Sequence, residues 1–191
     1  FAEEDGLRSP ISEGSVWVID PIDGTNNFVT QKEDFAVMVA YFEDGIGQFG
    51  LIYDVMRDHL FYGGGEFPVY RNEVELPFVD QPLENLLIAS NVGMLEKNDW
   101  GMADLGMDSL GIRVYGSAGI SFSKILSGGI LAYFSYIWPW DYAAAAIMGE
   151  QLGYTVLNLN GDKPNYQSVE PIMMVPKVKL TEIQTYLKKG R

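Results

Sequence analysis

Asp20 and Asp23 stand at the end of an apolar run in the stretch WVIDPIDGTNNF, residues 17–28, with Pro21 and Ile22 between them and Gly24-Thr25 directly after. Turns select Asp, Pro, Gly and Asn in any case, but that composition does not require this arrangement. Pro21 is expected to make Ile22 leave the strand, so that both carboxylates and the Ile22 carbonyl converge on one point. Hard cations take such an all-oxygen set. At Gly24 and Thr25 the chain is expected to turn into a helix, where backbone N–H groups can meet an anion with no Cβ in the way. A carboxylate pair beside amide donors fits a metal-bound phosphate. Glu3 and Glu4 in FAEED and Asp141 behind WPW add acidic groups. Asp141 opens an Ala-rich run, and the helix dipole favours a carboxylate there even without chemistry.

The elements that must position these residues follow from periodicity and turn residues. Residues 15–20 read as a buried strand. Strands over about 35–42, 47–53 and 59–62 form a meander punctuated by EDG and MRD. The polar stretch EFPVYRNEVELPF reads as an edge strand and turn, and NLLIAS as the next strand. KNDWGMADLGMDSLG is weakly helical with Asp99 as a possible cap, and IRVYG is strand-like. SAGISFSKILSGG reads as a helix capped by Ser117 and ending at Gly128. ILAYFSYI is then a strand, WDYAAAAIMGEQLGY a helix from Asp141 to Gly153, and TVLNL, PIMMVP and LTEIQTYLKK complete the chain as strand, strand and helix. Strands in runs alternating with helices imply layers of sheet and helix. No internal repeat or low-complexity linker interrupts them.

Composition narrows the chemistry. The 191 residues carry 26 acidic and 13 basic side chains, a net charge of -13 and a pI near 4.3. That field repels nucleic-acid phosphates and attracts cations, so nucleic-acid binding is disfavoured and an anionic substrate needs bound metal. Zero cysteines exclude disulfides, thiolate catalysis and zinc–thiolate sites. The run between Lys124 and Asp141 is Gly-interrupted and, at 16 residues, short of the roughly 20 a spanning helix needs; it reads as core. The opening FAEEDG has no signal-peptide pattern and is expected to begin inside a fold. Hydrophobic content of 47% is ordinary for a globular chain.

Taken together, AEED, WVIDPIDGTNNF, RVYGSAG and PWDYAAAAIMGEQLGY resemble the inositol monophosphatase family of metal-dependent, lithium-sensitive phosphatases, in order, in spacing and over essentially the whole chain. The resemblance implies a layered α-β-α-β-α sandwich of α+β class, shared with fructose-1,6-bisphosphatase. It implies one phosphatase fold over 1–191 without the family's N-terminal helices, with a metal-site half at 1–80 and an α/β half at 81–191. It makes Glu3 a metal ligand, Asp20 a carboxylate bridging two metals and the Ile22 carbonyl a further ligand. Asp23 and Asp141 then hold the second metal, and Asp141 also faces substrate. Gly24 and Thr25 give backbone N–H groups to the phosphate, the Thr25 hydroxyl orients the attacking water, and Gly116, Ser117 and Ala118 line the substrate side. Glu3, Asp20 and Thr25 form the catalytic set. Two or three Mg²⁺ ions, a small phosphorylated metabolite and a homodimer complete what the resemblance implies, while the negative charge and the missing signal-peptide pattern make the cytoplasm the default setting, with no nucleic-acid or membrane partner expected.

The leading expectation is therefore Mg²⁺-dependent hydrolysis of a phosphate monoester, with inositol monophosphate first. Where inositol-selective members carry a glutamate after an AYY-like strand, AYFSY places Ser135, with one residue fewer before WD. Losing that acceptor weakens discrimination and keeps fructose 1,6-bisphosphate, 2′-phosphorylated dinucleotides and 3′-phosphoadenosine compounds in view. A catalytically dead, cation-binding relative is the rival, and the EF-hand loop pattern is absent. His59 reads as a packing or surface residue, and GGG at 63–65 as a turn. The aromatics Tyr133, Phe134, Tyr136, Trp138 and Trp140 read as core or interface. The basic tail from Lys177 through Lys179, Lys188 and Lys189 to Arg191 reads as a solvated helix face.

Overall fold

The structure is a computed structural model and describes residues 2, 10–78 and 87–187; Glu3, Glu4 and the basic residues after 187 lie outside them. Among the described residues, six strands form an antiparallel sheet in sequential order: β1 (Ser15–Asp23), β2 (Ala36–Glu43), β3 (Ile46–Asp54), β4 (His59–Gly64), β5 (Phe67–Arg71) and β6 (Val74–Glu75). Short turns at the EDG and MRD signals connect β2 to β3 and β3 to β4. In β2 the alternation places Ala36, Met38, Ala40 and Phe42 inward. The second sheet has five described strands in the order β10-β11-β9-β7-β8: β7 (Leu87–Ser90), β8 (Gly111–Arg113), β9 (Ala132–Ile137), β10 (Tyr154–Asn158) and β11 (Glu170–Pro176). Here β7 runs parallel to β8 and β9, and the other pairs are antiparallel.

Helices α4 (Ala118–Leu126) and α5 (Pro139–Gln151) lie between the sheets, sharing one core with Val18, Met38, Ile52, Phe122, Tyr142 and Met174. Small residues set this spacing: a Cβ on Gly50 would overlap the Ala144 carbonyl. On the far face of the second sheet, α2 (Val92–Glu96), α3 (Met102–Asp108) and α6 (Leu180–Leu187) enclose a second core around Ile88, Phe134, Met173 and Ile183. The described residues thus stack as sheet, helix, sheet, helix, the two-sheet α+β arrangement expected. Short α1 (Thr25–Thr30) follows β1.

Three local expectations need correction. Ile22 does not leave the strand; β1 continues to Asp23 with a bulge between Asp20 and Asp23, because an extra residue is absorbed there without ending the pairing. The stretch KNDWGMADLGMDSLG, residues 97–111, is not one weak helix capped by Asp99. It holds a 3₁₀ turn at Asp99–Gly101 and then α3, and α2 lies before it, since Asn98, Trp100 and Gly101 all adopt left-handed backbone conformations. The Asn98 side chain, not Asp99, accepts the Ala103 N–H at 2.8 Å. The Ala-rich helix starts at Pro139, two residues before Asp141, because proline's fixed φ suits the first helical turn.

Candidate active site

The bulge in β1 turns two carboxylates toward the seam between the sheets. Asp20 is 1% exposed and Asp23 6%, and the Ile22 N–H donates to Asp20 Oδ1 at 3.0 Å, bracing the first across the bulge. Asp141, on the first turn of α5, accepts the Trp138 N–H through Oδ2 at 2.8 Å. The three side chains come together, each offering an oxygen within 4.8 Å of the others. Carboxylates so close repel one another in a poorly solvated site. The donor set is what a hard divalent cation takes, so the residues present fit such an ion.

Asp23 is also bound to the N-terminus of α4. The Ala118 N–H donates to its Oδ1 at 3.1 Å, the Gly119 N–H to its Oδ2 at 2.8 Å, and the Ser117 hydroxyl to the same Oδ2. Ser117 simultaneously accepts the Ile120 N–H at 3.1 Å, the cap expected of it. The Ser117 hydroxyl and the Ala118 N–H therefore serve Asp23, while both residues and Gly116 line an adjoining cavity of about 310 Å³.

Gly24 has φ 84°, and a Cβ there would meet Ser117 Cβ at 2.9 Å and the Asp34 carbonyl oxygen at 3.1 Å. Only glycine lets α1 start this close to α4. The Thr25 hydroxyl donates to the Ile22 carbonyl at 3.0 Å, which commits its proton and leaves its lone pairs to accept.

Several contributors escaped the sequence reading. The Asn27 amide donates to the carbonyls of Asp34 at 2.9 Å and Tyr115 at 2.7 Å, tying α1 to the segment before Gly116. Arg57 bridges Asp34 at 2.9 Å and buried Asp54 at 3.1 Å behind it. Both carboxylates raise the guanidinium pKa, Asp34 foremost, against an opposing desolvation. Across the cavity stand Asn91, Ser121 and Tyr133, together with Ser135, which the sequence had already pointed to on the substrate side. Asn27 lay in plain view inside GTNNF, and Asn91 was findable as an N-cap at a strand's end. His59 is on β4 with its ring edge-on to Phe61, the packing role expected. Trp138 and Trp140 stack at 4.9 Å beside Asp141, with Trp140 in the core as expected.

Residues 1–189 match the model of the inositol monophosphatase family. The chain belongs to that family. It is 38% identical over 156 residues to an inositol-1-monophosphatase of Bacillus subtilis, covering 78% of this chain and 59% of that protein. Among solved structures, SaIMPase-II with inositol monophosphate bound superposes with a TM-score of 0.89 at 31% identity, covering 98% of this chain and 75% of that one. An IMPase/NADP phosphatase complexed with Mg²⁺ and phosphate gives 0.88 at 25% identity, covering 97% and 71%. The chain spans about six-tenths of the length of the Bacillus relative.

Proposed function

We propose that the protein hydrolyses a small-molecule phosphate monoester, with Mg²⁺ bound at Asp20, Asp23 and Asp141. The observation that carries this reading is the convergence of those three carboxylates beside a cavity of substrate size. Glu3 and the Ile22 carbonyl are proposed to complete the ligand set, with Asp20 bridging two ions. Bound there, two or three Mg²⁺ ions supply an activated water and neutralise the charge on the phosphoryl and leaving oxygens. The chain's own groups do the rest. Thr25, its proton held by Ile22, accepts a hydrogen bond from the attacking water and so points its lone pair. The backbone N–H groups of Gly24 and Thr25 hold the phosphoryl oxygens, and Gly116, Ser117 and Ala118 wall the leaving alcohol.

Inositol monophosphate is the first substrate in this reading, because relatives by name act on it or were solved with it. NADP, fructose 1,6-bisphosphate and 3′-phosphoadenosine compounds form the second reading, favoured by Ser135 at the cavity and by the NADP phosphatase relative. We read 1–191 as belonging to one phosphatase fold whose halves, 1–80 and 81–191, both contribute to the site. Lithium sensitivity, a homodimeric state and a cytoplasmic setting are part of the same proposal and rest on the family. No helix among the described residues is long and apolar enough to cross a membrane.

The test is phosphate release by the full-length protein, with Mg²⁺ and with chelator, across inositol 1-phosphate, fructose 1,6-bisphosphate, NADP⁺ and 3′-phosphoadenosine 5′-phosphate. Metal-dependent release is expected. A protein that binds Mg²⁺ yet releases nothing from any of them is a dead relative.

A further inference from the structure

The turn after β3 reaches the site without lining it. Arg57 ends the 3₁₀ turn Val55–Arg57 between β3 and β4, and that turn is braced from outside. The Tyr53 hydroxyl donates to Asp58 at 2.7 Å. The Asn72 side chain accepts the Leu60 N–H at 2.8 Å and donates to the Asp58 carbonyl at 3.1 Å. From this base the guanidinium uses its two arms on different partners. Nη1 donates to both oxygens of Asp54, at 3.3 and 3.1 Å, and Nη2 to Asp34 Oδ1 at 2.9 Å. Asp54 is buried at the end of β3, opposite Ala36 of β2. Asp34 stands two residues before Ala36, on the segment that joins α1 to β2.

The Asp54 arm has a plain structural cause, since a buried carboxylate needs a charged partner. The Asp34 arm does not, because both side chains are partly exposed and such an ion pair adds little to stability. That arm instead holds a backbone. Asp34 has φ 50°, a left-handed conformation uncommon for any residue with a side chain. Its carbonyl there accepts the Asn27 amide at 2.9 Å and comes within 3.1 Å of where a Cβ on Gly24 would stand. Thr25 is the next residue. The three carboxylates have braces of their own: the Ile22 N–H on Asp20, the α4 N–H groups on Asp23 and the Trp138 N–H on Asp141. The grip on Asp34 therefore bears on Thr25 and not on the proposed metal set.

We infer that Arg57 is a positioning residue: by gripping Asp34 it fixes the seat of Gly24, and so the place of the Thr25 hydroxyl that directs the attacking water. This inference rests on the phosphomonoesterase reading above. Thr25 helps the water only as it attacks, so an error in its place lowers kcat and leaves KM alone.

Arg57→Lys and Asp34→Ala test it, because both leave buried Asp54 with a cation, and lysine keeps the charge but has no fork with which to serve two carboxylates. The first readout is kcat and KM, with Mg²⁺ and the full-length protein, for whichever of inositol 1-phosphate, fructose 1,6-bisphosphate, NADP⁺ and 3′-phosphoadenosine 5′-phosphate the wild type hydrolyses fastest. The second is the rise in melting temperature that Mg²⁺ alone produces. Each variant is expected to lower kcat about tenfold, the result of a displacement smaller than the ångström that costs about a hundredfold. KM and the Mg²⁺-induced rise are expected to stay as in the wild type. The double variant is expected to lose no more than either single one, since both cut the same link. Unchanged kcat in the single variants, losses that multiply in the double, or a loss carried by KM or by the Mg²⁺-induced rise overturns the role of Arg57 and leaves the phosphatase reading standing. No turnover of any of the four esters by the wild type overturns both.

Discussion

Asp20 sits 1% exposed, among other carboxylates and at the point where its strand bulges. Its Oδ1 already accepts the Ile22 N–H, and Asn can keep that bond while losing the charge. Asp20→Asn is therefore expected to leave the fold intact, to raise stability in chelator by about 1 kcal/mol through relief of like-charge repulsion, and to cut turnover by on the order of 10³. Thermal melts with and without Mg²⁺, run beside phosphate release, separate the two effects. A variant that melts higher yet keeps its activity removes Asp20 from the proposed metal set. Ser117 works differently, since one hydroxyl donates to Asp23 and accepts from Ile120. Ser117→Ala is expected to cost about 1–2 kcal/mol, as loss of an N-cap does, and to weaken Mg²⁺ binding as well. Ser117→Thr should restore both, and a cap loss with unaltered Mg²⁺ affinity would show that Asp23 needs no help from this hydroxyl.

At the scale of elements, the site depends on how closely α1, α4 and the loop at Asp34 approach. Gly24 is the contact point, with a left-handed φ and no room for a Cβ. Gly24→Ala is expected to cost about 1–3 kcal/mol in backbone strain and contact. Because Thr25 is the next residue, turnover should fall by more than that stability loss alone accounts for. A denaturant titration together with kcat at a temperature where the variant is fully folded distinguishes these outcomes. The same elements show what a sequence can and cannot reveal. The meander, the Ser117 cap and the Ala-rich helix were legible because alternation, capping residues and turn glycines are local signals. The bulge at Pro21-Ile22 was not, because whether proline ends a strand or is absorbed by it depends on the β2 partner. The break between α2 and α3 turns on left-handed conformations at Asn98 and Trp100, which no side-chain period announces. The wall of Asn91, Tyr133 and Ser135 unites the end of β7 with β9, which chain separation hides until the sheet order is known. Glu3 lies outside the described residues, so its place in the set remains part of the proposal.

Across the whole molecule, the carboxylates are carried by parts that meet only when the layers pack. Asp20 and Asp23 belong to the six-stranded sheet, whereas Asp141 rides on α5, pressed between the sheets. The distance among them is therefore set by the seat of α5, and at Gly50 that helix comes against the backbone of β3. A Cβ at Gly50 meets backbone atoms of Ala144, which no rotamer change can move, so Gly50→Ala must displace α5. An overpacking cost of about 1–3 kcal/mol is expected. A second variant, Ile183→Ala, opens a void in the other core, beneath α6 and away from the carboxylates, at a cost of about 2–5 kcal/mol. Both lower the melting temperature, but only one moves Asp141. Saturating Mg²⁺ stabilises a folded protein in proportion to how well the folded site holds it, about 2.7 kcal/mol at a hundred times Kd. The Mg²⁺-induced rise in Tm should accordingly shrink in Gly50→Ala and persist in Ile183→Ala. An equal rise in both would mean that the three carboxylates hold the ion without depending on the packing of α5, and that the layered core supports the site without setting its geometry.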